Sequence, residues 1–490
     1  MMSPFDYAMP EIFLLAAVCV VLLLDIFLTR DLREVTYLAA QASLLATAGV
    51  VYTHAFTGNE RLVGLGRHYV IDELGGVLKI SILLLTMVVF VYARKFLRDQ
   101  SMWRGEFFVL SLTAVLGMMI MISGYNLLVL YLGLELLALS MYALVAMRRD
   151  DGRATEAAMK YFVLGAIASG LLLYGLSMLY GLTGELSIRQ IHEYLLGVPD
   201  SGANLPLLFT LVFLVAAVAF KFGAMPFHMW LPDVYHGAPT IVTLFLGSVP
   251  KIAAFALLMR LLAEGMAPLA SGWSQLFLVL GLLSVAGGNL VAIAQTSFKR
   301  MLAYSTIAHM GFILLGAMTA THAGYSAAMF YVLVYALTAA GAFGVLVVMG
   351  REGFEADSLD DLKGLNERNP WLAFIMLLLL FSMAGIPPTV GFYAKLAVIK
   401  AVVDANLVWA AVIMVVMSVA GAYYYLRAIK MMYFDKPEPA PGSGGISVNA
   451  ETGLDCQIVI SLNGVLMLVL GVFPGLLMGV CSMALQASSL

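Results

Sequence analysis

Fourteen apolar stretches of about 18 to 25 residues run along this 490-residue chain, each long enough for a helix to cross a hydrocarbon core of ~30 Å. They begin near Glu11, Val35, Leu74, Glu106, Asn126, Thr155, Leu205, Thr240, Trp273, Arg300, Tyr325, Trp371, Leu407 and Gln457. Barrel strands would show alternating runs of about ten residues instead, so block length selects helices. Only 12% of the residues are charged and 62% are hydrophobic, against roughly a quarter charged in soluble domains. The sequence therefore predicts an all-α fold, a polytopic membrane protein with about 14 transmembrane helices. The lipid bilayer is its first partner, and nothing in the composition points to nucleic acid.

The leader MMSPFDYAMPE carries no lysine or arginine, so it does not read as a secretory signal and the first helix is expected to be retained. Cys19, Cys456 and Cys481 are scattered and show no metal-ligand spacing, so no metal site, disulfide framework or redox centre is expected. With fourteen spans, alternate loops fall on opposite sides. Fifteen loop lysines and arginines lie on one side, against Arg61, Arg67 and Arg189 on the other. The positive-inside rule puts the richer side in the cytoplasm and both termini outside. Two longer outward stretches, YTHAFTGNERLVGLGRHYVIDELGG and GELSIRQIHEYLLGVPDSGAN, read as solvated connectors, and a Pro/Gly-rich stretch at 434–456 reads as a cytoplasmic linker.

Nine cations fall inside the apolar blocks. Lys79, Arg260, Lys400, Arg427 and Lys430 lie near block ends, where long side chains can reach the headgroups. Lys160, Lys221, Lys251 and Lys395 remain, with Glu135 in YLGLELLALSMYAL. A charge near mid-bilayer costs about 2.5 to 3.5 kcal/mol, so these five would cost roughly 12 to 18 kcal/mol if independent and deep. A helix-pairing salt bridge is the plain alternative for one Glu and one Lys, but one carboxylate cannot neutralise four lysines. The surplus must face water or lose protons, and desolvation makes a lysine easier to deprotonate. A file of such lysines suggests a proton relay. His228 and His309 are the other titratable groups inside the blocks, with Ser305 and Thr306 beside His309 as a possible lining for waters.

The stretch AFKFGAMPFHMWLPDVYHGAPT, residues 219–240, places Lys221 just before a break made by Gly223 and Pro226. FSMAGIPPTVGFYAKLAVIK repeats the device with Gly385, Pro387, Pro388 and Lys395. Irregular backbone at membrane depth survives only where protein or a wet cavity satisfies it. The broken helices are the seventh and twelfth, so helices four to eight and nine to thirteen form two five-helix repeats, inverted because five is odd. Two independent proline kinks are the alternative. The expected division is 1–105 for helices 1–3, 106–264 and 273–433 for the two repeats, 434–456 for the linker, and 457–490 for helix 14.

FKFGAMPFHMWLPDVYHGAPT, FLGSVPKIAAFALLMR, KRMLAYSTIAHMG and GIPPTVGFYAKL, in that order, closely resemble the antiporter-like membrane subunits of respiratory complex I and related multisubunit cation/proton antiporters. The resemblance spans about 106–430. It implies proton translocation driven by NADH oxidation and quinone reduction on other subunits, in a bacterial inner membrane with both termini periplasmic. By motif match, Glu135 and Lys221 would be an interacting pair, Lys251 the central relay lysine and Lys395 the residue of the second half-channel, with Lys160, His228 and His309 auxiliary. No cofactor is implied on this chain; NADH, FMN, iron-sulfur clusters and quinone would sit on partner subunits. The implied partners are the other membrane and peripheral subunits, sibling antiporter-like subunits above all. A stand-alone cation/proton antiporter and a non-pumping scaffold are the competing functions.

Overall fold

The computed structural model describes residues 4–29, 32–56, 61–198, 204–436 and 453–488. Helices α1 (Met9–Phe27) and α2 (Arg33–Phe56) precede a hairpin of β1 (Leu62–Gly64) and β2 (Tyr69–Ile71), then α3 (Glu73–Asp99). A first group follows: α4 (Glu106–Ser123), α5 (Leu127–Val145), α6 (Gly152–Thr183), α7 (Ile188–Leu196), α8 (Leu205–Phe222), α9 (Trp230–Gly237) and α10 (Thr240–Leu258), which continues as a π-helical turn, Met259–Gly265. The second group is α11 (Ala270–Ile293), α12 (Phe298–Ala317), α13 (His322–Met349), α14 (Leu365–Arg368), α15 (Pro370–Ala384), α16 (Val390–Asp404) and α17 (Val408–Tyr433). Helices α18 (Leu454–Val472) and α19 (Pro474–Ala487) close the chain.

Among the described residues, 12 helices are long and apolar enough to cross a membrane. The other two expected crossings are α12, whose 20 residues include Lys299, Arg300, Ser305, Thr306 and His309, and the interrupted pair α15 and α16. Every residue of α10 is buried. A helix apolar all round belongs in the core of a bundle. By contrast α1 exposes Leu15, Val20, Leu23, Ile26 and Phe27, as a lipid-facing rim helix does.

Both groups are built on the same frame. Asn126 and Ser297 cap α5 and α12, and each forms an antiparallel bridge to a serine sixty-one residues later, Ser187 and Ser358. The bridging bonds are main-chain: Leu127 N–H to Leu186 O (2.9 Å) and Ile188 N–H to Tyr125 O (3.1 Å), then Phe298 N–H to Asp357 O (2.7 Å) and Leu359 N–H to Thr296 O (3.1 Å). The straps lie at opposite ends of the bundle. Tyr69, before α3, bridges Gly124 beside the first strap, whereas Gln100, after α3, donates to Arg351 O beside the second (2.8 Å). We call these the hairpin end and the Glu355 end. The helix breaks also match: α8 ends at Gly223 (φ 76°) and α15 at Gly385 (φ 83°), left-handed positions that favour glycine. At each break an N–H reaches five residues back, Ala224 to Ala219 O (2.8 Å) and Ile386 to Phe381 O (2.9 Å).

The structure corrects several expectations. The outward connectors contain the β-hairpin and α7, an amphipathic helix that buries Ile188, Ile191 and Leu195. The last block is divided, because Pro474 has no N–H to continue α18. The linker falls largely on 437–452, outside the described residues. Lys79 and Arg260 do not reach toward headgroups: Lys79 is buried against Glu11 (2.6 Å), and Arg260, 1% exposed, against Asp72 (2.7 Å). Each turns inward because a carboxylate on another segment meets it there. Lys160 lies at the surface of the bundle and not in its interior. Its side chain is 43% exposed and pairs with Glu156 (2.9 Å) and Asp233 (2.8 Å). Helix α6 has 32 residues, about 48 Å of rise, longer than a ~30 Å core, and Lys160 lies in its first three turns.

Candidate functional site

The break after α8 creates the centre of the site. Ending the helix at Gly223 frees the carbonyls of its last turn, and Lys251 on α10 takes two of them, with Nζ donating to Phe222 O (3.0 Å) and Lys221 O (3.3 Å). Its ammonium also lies 5.3 Å from the centre of the Trp230 ring, an attraction between cation and aromatic face. Trp230 is fixed by its own N–H to Phe220 O (3.1 Å) and by stacking on Tyr161 at 4.8 Å. Lys251 is 2% exposed, and no carboxylate among the described residues lies within 4.0 Å of it. A buried cation is thus held by neutral dipoles alone.

Lys221 and Lys251 line one small cavity of about 30 Å³, with Leu134, Leu137 and Ala138 of α5 also in its lining. Glu135 stands between those wall residues. It is near enough to act electrostatically on Lys221, yet no ion pair within 4.0 Å joins the two, and Glu135 Oε1 is buried without a hydrogen-bond partner. The expected pair is therefore neighbouring but not in contact. His228, in the break, is half-buried with Nδ1 unpartnered and its ring 6.5 Å from Tyr304.

His309 occupies the corresponding interior of the second group. Nδ1 meets the Tyr331 hydroxyl at 2.8 Å and Nε2 the Tyr425 hydroxyl at 3.2 Å, and Tyr425 meets Ser305 Oγ at 2.5 Å. Tyr335 donates to Thr306 (2.8 Å) alongside. Lys395 donates to Ala384 O (2.9 Å), again a carbonyl freed by a helix break, and sits 5.5 Å from the Phe312 ring. Gly385 is favoured there by its left-handed φ of 83°, and a Cβ would also displace the Lys395 side chain, meeting its Cδ at 2.8 Å. Lys395 acts electrostatically on His309. Between the two groups, Tyr235 lies 6.5 Å from the Trp230 ring with its hydroxyl buried, beside Thr306 and within electrostatic reach of Tyr335. Of the sequence-predicted residues, the structure gathers Glu135, Lys221 and Lys251 in one place and His309 and Lys395 in another, and leaves Lys160 outside both. Tyr235, Tyr331, Tyr335 and Tyr425 were missed. The spacing of Tyr331, Tyr335 and Thr338 on one face of α13 was the available signal.

At the Glu355 end, the segment after α13 locks onto the first group. Glu355 pairs with Arg148 (2.6 Å) and Lys299 (3.2 Å) and accepts from the Thr240 N–H (3.0 Å). Burial pushes its carboxyl up, but Lys299, Thr240 and Arg148 outweigh this and hold it below the usual glutamate range. Asp357 pairs with His236 (3.0 Å), and Asp233 with Arg300 (2.8 Å). Among the described residues no group of three or more His, Cys, Asp or Glu is placed to hold a metal.

Residues 124–421 match the family described as "NADH:quinone oxidoreductase/Mrp antiporter, TM". The chain is 54% identical to NADH-quinone oxidoreductase subunit N of Thioalkalivibrio sulfidiphilus, over 97% of both chains. It is 52% identical to the protein of that name from Thiobacillus denitrificans, over 99% of this chain and 98% of the other. Among solved structures, a chain of respiratory complex I from Thermus thermophilus with bound aureothin matches with a TM-score of 0.80 and 32% identity, covering 96% of this chain and 98% of that one. A chain of the Mrp complex from Dietzia sp. DQ12-45-1b shares the fold, with a TM-score of 0.85 at 22% identity, covering 99% and 97%.

Proposed function

The chain belongs to the NADH:quinone oxidoreductase/Mrp antiporter transmembrane family, and from that premise we propose how it works as a proton-translocating membrane subunit of NADH-quinone oxidoreductase. Protons move through Glu135, Lys221, Lys251 and Lys395, with His309 and its tyrosines carrying the step between the two five-helix groups. His228 serves water at the first break. Lys160 acts at the entrance, on the surface beside Asp233, rather than within the file.

One observation carries this reading: Lys251 is buried against two main-chain carbonyls and an aromatic face, with no carboxylate of the described residues within 4.0 Å. A lysine locked to a carboxylate would have to leave a buried charge behind when it loses its proton. A lysine held by neutral dipoles leaves none. Glu135, close to Lys221 yet not touching it, is the variable charge: its approach favours the ammonium and its retreat favours release toward Lys251. Lys395 has the same kind of socket at the second break.

The energy comes from NADH oxidation and quinone reduction on partner subunits, where NADH, FMN, iron-sulfur clusters and quinone bind. The chain divides at 106–264 and 273–433 into two inverted repeats, a division supported by the matching straps and breaks. Both termini and the hairpin end face the periplasm of a bacterial inner membrane, and the Glu355 end faces the cytoplasm, in keeping with fifteen loop cations there. Sibling antiporter-like subunits are the expected neighbours. The test is replacement of Lys221 or Lys395 by a neutral residue in the assembled complex, with NADH-driven proton uptake measured in inverted vesicles. Uptake falls if the relay is right and is unchanged if it is wrong.

A further inference from the structure

Nine residues beyond Lys251 on the same helical run, Arg260 is fully buried at the hairpin end, among groups that the relay does not use. Its Nη2 donates to Asp72 Oδ1 (2.7 Å), Nη1 to Glu264 Oε2 (3.4 Å) and Nε to Ile122 O (3.2 Å). Glu264 also accepts from the Tyr125 hydroxyl (2.6 Å) and pairs with Arg61, which lies 3.8 Å from Asp72. Two guanidinium groups therefore face two carboxylates, and the cluster is neutral overall. The π-helical turn Met259–Gly265 brings Arg260 and Glu264 to this position, and such turns gather at functional places.

The cluster separates two spaces. Toward the hairpin end lies an open cavity of about 550 Å³ lined by Tyr125, Arg189, His192, Glu193 and Glu264. Toward the interior lies the cavity of Lys221 and Lys251, whose wall includes Met121 and Leu257. Met121 adjoins Ile122, the residue whose carbonyl Arg260 takes, and Leu257 lies one turn before Arg260, so the cluster follows the relay cavity along both α4 and α10.

A group placed between two such spaces could pass protons or stop them. Guanidinium does not release its proton in proteins. A proton taken by Asp72 or Glu264 would leave a buried arginine without its counter-charge, which is costly. Burial pushes the Asp72 carboxyl up, but Arg260 and Arg61 outweigh it and hold it below the usual aspartate range, so outer water does not protonate it near neutral pH. In the second group, Arg300, Arg351, Arg368 and Arg427 all lie toward the Glu355 end, so among the described residues no arginine stands at its hairpin end.

We infer that Arg260, with Asp72 and Glu264, is a proton seal that closes the hairpin end of the first five-helix group, so that a proton on Lys251 has only the lateral route toward Lys395. This rests on the relay proposed above. Arg260 positions the path without carrying protons itself.

The test is passive leak, which needs no turnover. Arg260→Lys, titratable and unable to fork between two carboxylates, and the neutral pair Asp72→Asn with Arg260→Gln are made in the whole complex and reconstituted into vesicles. With NADH absent, an imposed pH gradient should collapse roughly ten-fold faster than in wild type, a factor equal to ~1.4 kcal/mol of barrier. With NADH, turnover should persist while the gradient it builds shrinks. Wild-type leak in either assembled variant overturns the seal, and failure of both to assemble overturns it in favour of a folding clamp. Lys251→Met in the same vesicles should not leak. If that variant pumps normally, the relay fails while the leak result still stands.

Discussion

Replacing Lys251 by Met keeps the length of the side chain and removes its charge. A lysine at mid-bilayer costs about 2.5 to 3.5 kcal/mol on insertion scales, and the substitution recovers that. Against it stand two hydrogen bonds to Phe222 O and Lys221 O, at 3.0 and 3.3 Å, each about 1.5 kcal/mol for a charged donor. The contact with Trp230 at 5.3 Å adds about 0.5 to 1 kcal/mol. Gain and loss agree to within about 1 to 2 kcal/mol, so the complex should assemble at wild-type levels. Proton uptake per NADH in inverted vesicles should nevertheless fall several-fold. Lys251→Arg sharpens the case: it preserves a cation for the same carbonyls and ring but cannot release a proton, so it should assemble and fail to pump. Complex content on native gels and dye-reported proton uptake read both effects. Wild-type uptake in the Lys251→Arg complex would refute the argument, because the lysine would then serve only as a fixed charge.

Gly385→Ala forces a left-handed residue (φ 83°) and sets a Cβ 2.8 Å from Lys395 Cδ; we expect about 1 to 2 kcal/mol of strain, a lower melting midpoint and reduced pumping, read by thermal denaturation and vesicle assays. Tyr331→Phe leaves His309 Nδ1 without its partner at 2.8 Å, a cost of about 1 to 3 kcal/mol, and should slow proton uptake without changing NADH oxidation by the peripheral subunits with an artificial acceptor. Glu355 has a lowered native pKa, so its contribution to stability is full above the ordinary glutamate value of about 4.3 and is lost as pH falls through the lower native one. Glu355→Gln should therefore be less stable than wild type at pH 7 and converge with it below about pH 4 in denaturation midpoints.

The helical class was legible because apolar length admits no other answer, and the paired breaks were legible because Gly223 with Pro226 and Gly385 with Pro387 and Pro388 interrupt otherwise apolar helices. Rotation about a helix axis was not. Lys79 and Arg260 looked like end residues, and only the three-dimensional arrangement shows Glu11 and Asp72 meeting them from other segments. The pairing of Lys160 with Asp233, 73 residues away, was equally out of reach of the sequence. Helix α7 did carry a signal in Ile188, Ile191 and Leu195, spaced three and four apart, but nine residues are few to read a period from. The tyrosines around His309 come from α13 and α17, and no local pattern joins those helices.

The straps at Asn126 with Ser187 and at Ser297 with Ser358 are closed by amide groups, whose chemistry is common to almost every residue. Substitutions that leave the backbone path intact cannot dissolve such a tie, so each half keeps its scaffold while its interior is free to diverge. One half holds Lys221 and Lys251, and the other holds Lys395 beside an imidazole ringed by phenols. Architecture and chemistry are thereby decoupled, and the same frame can be refitted for a different cargo without being rebuilt.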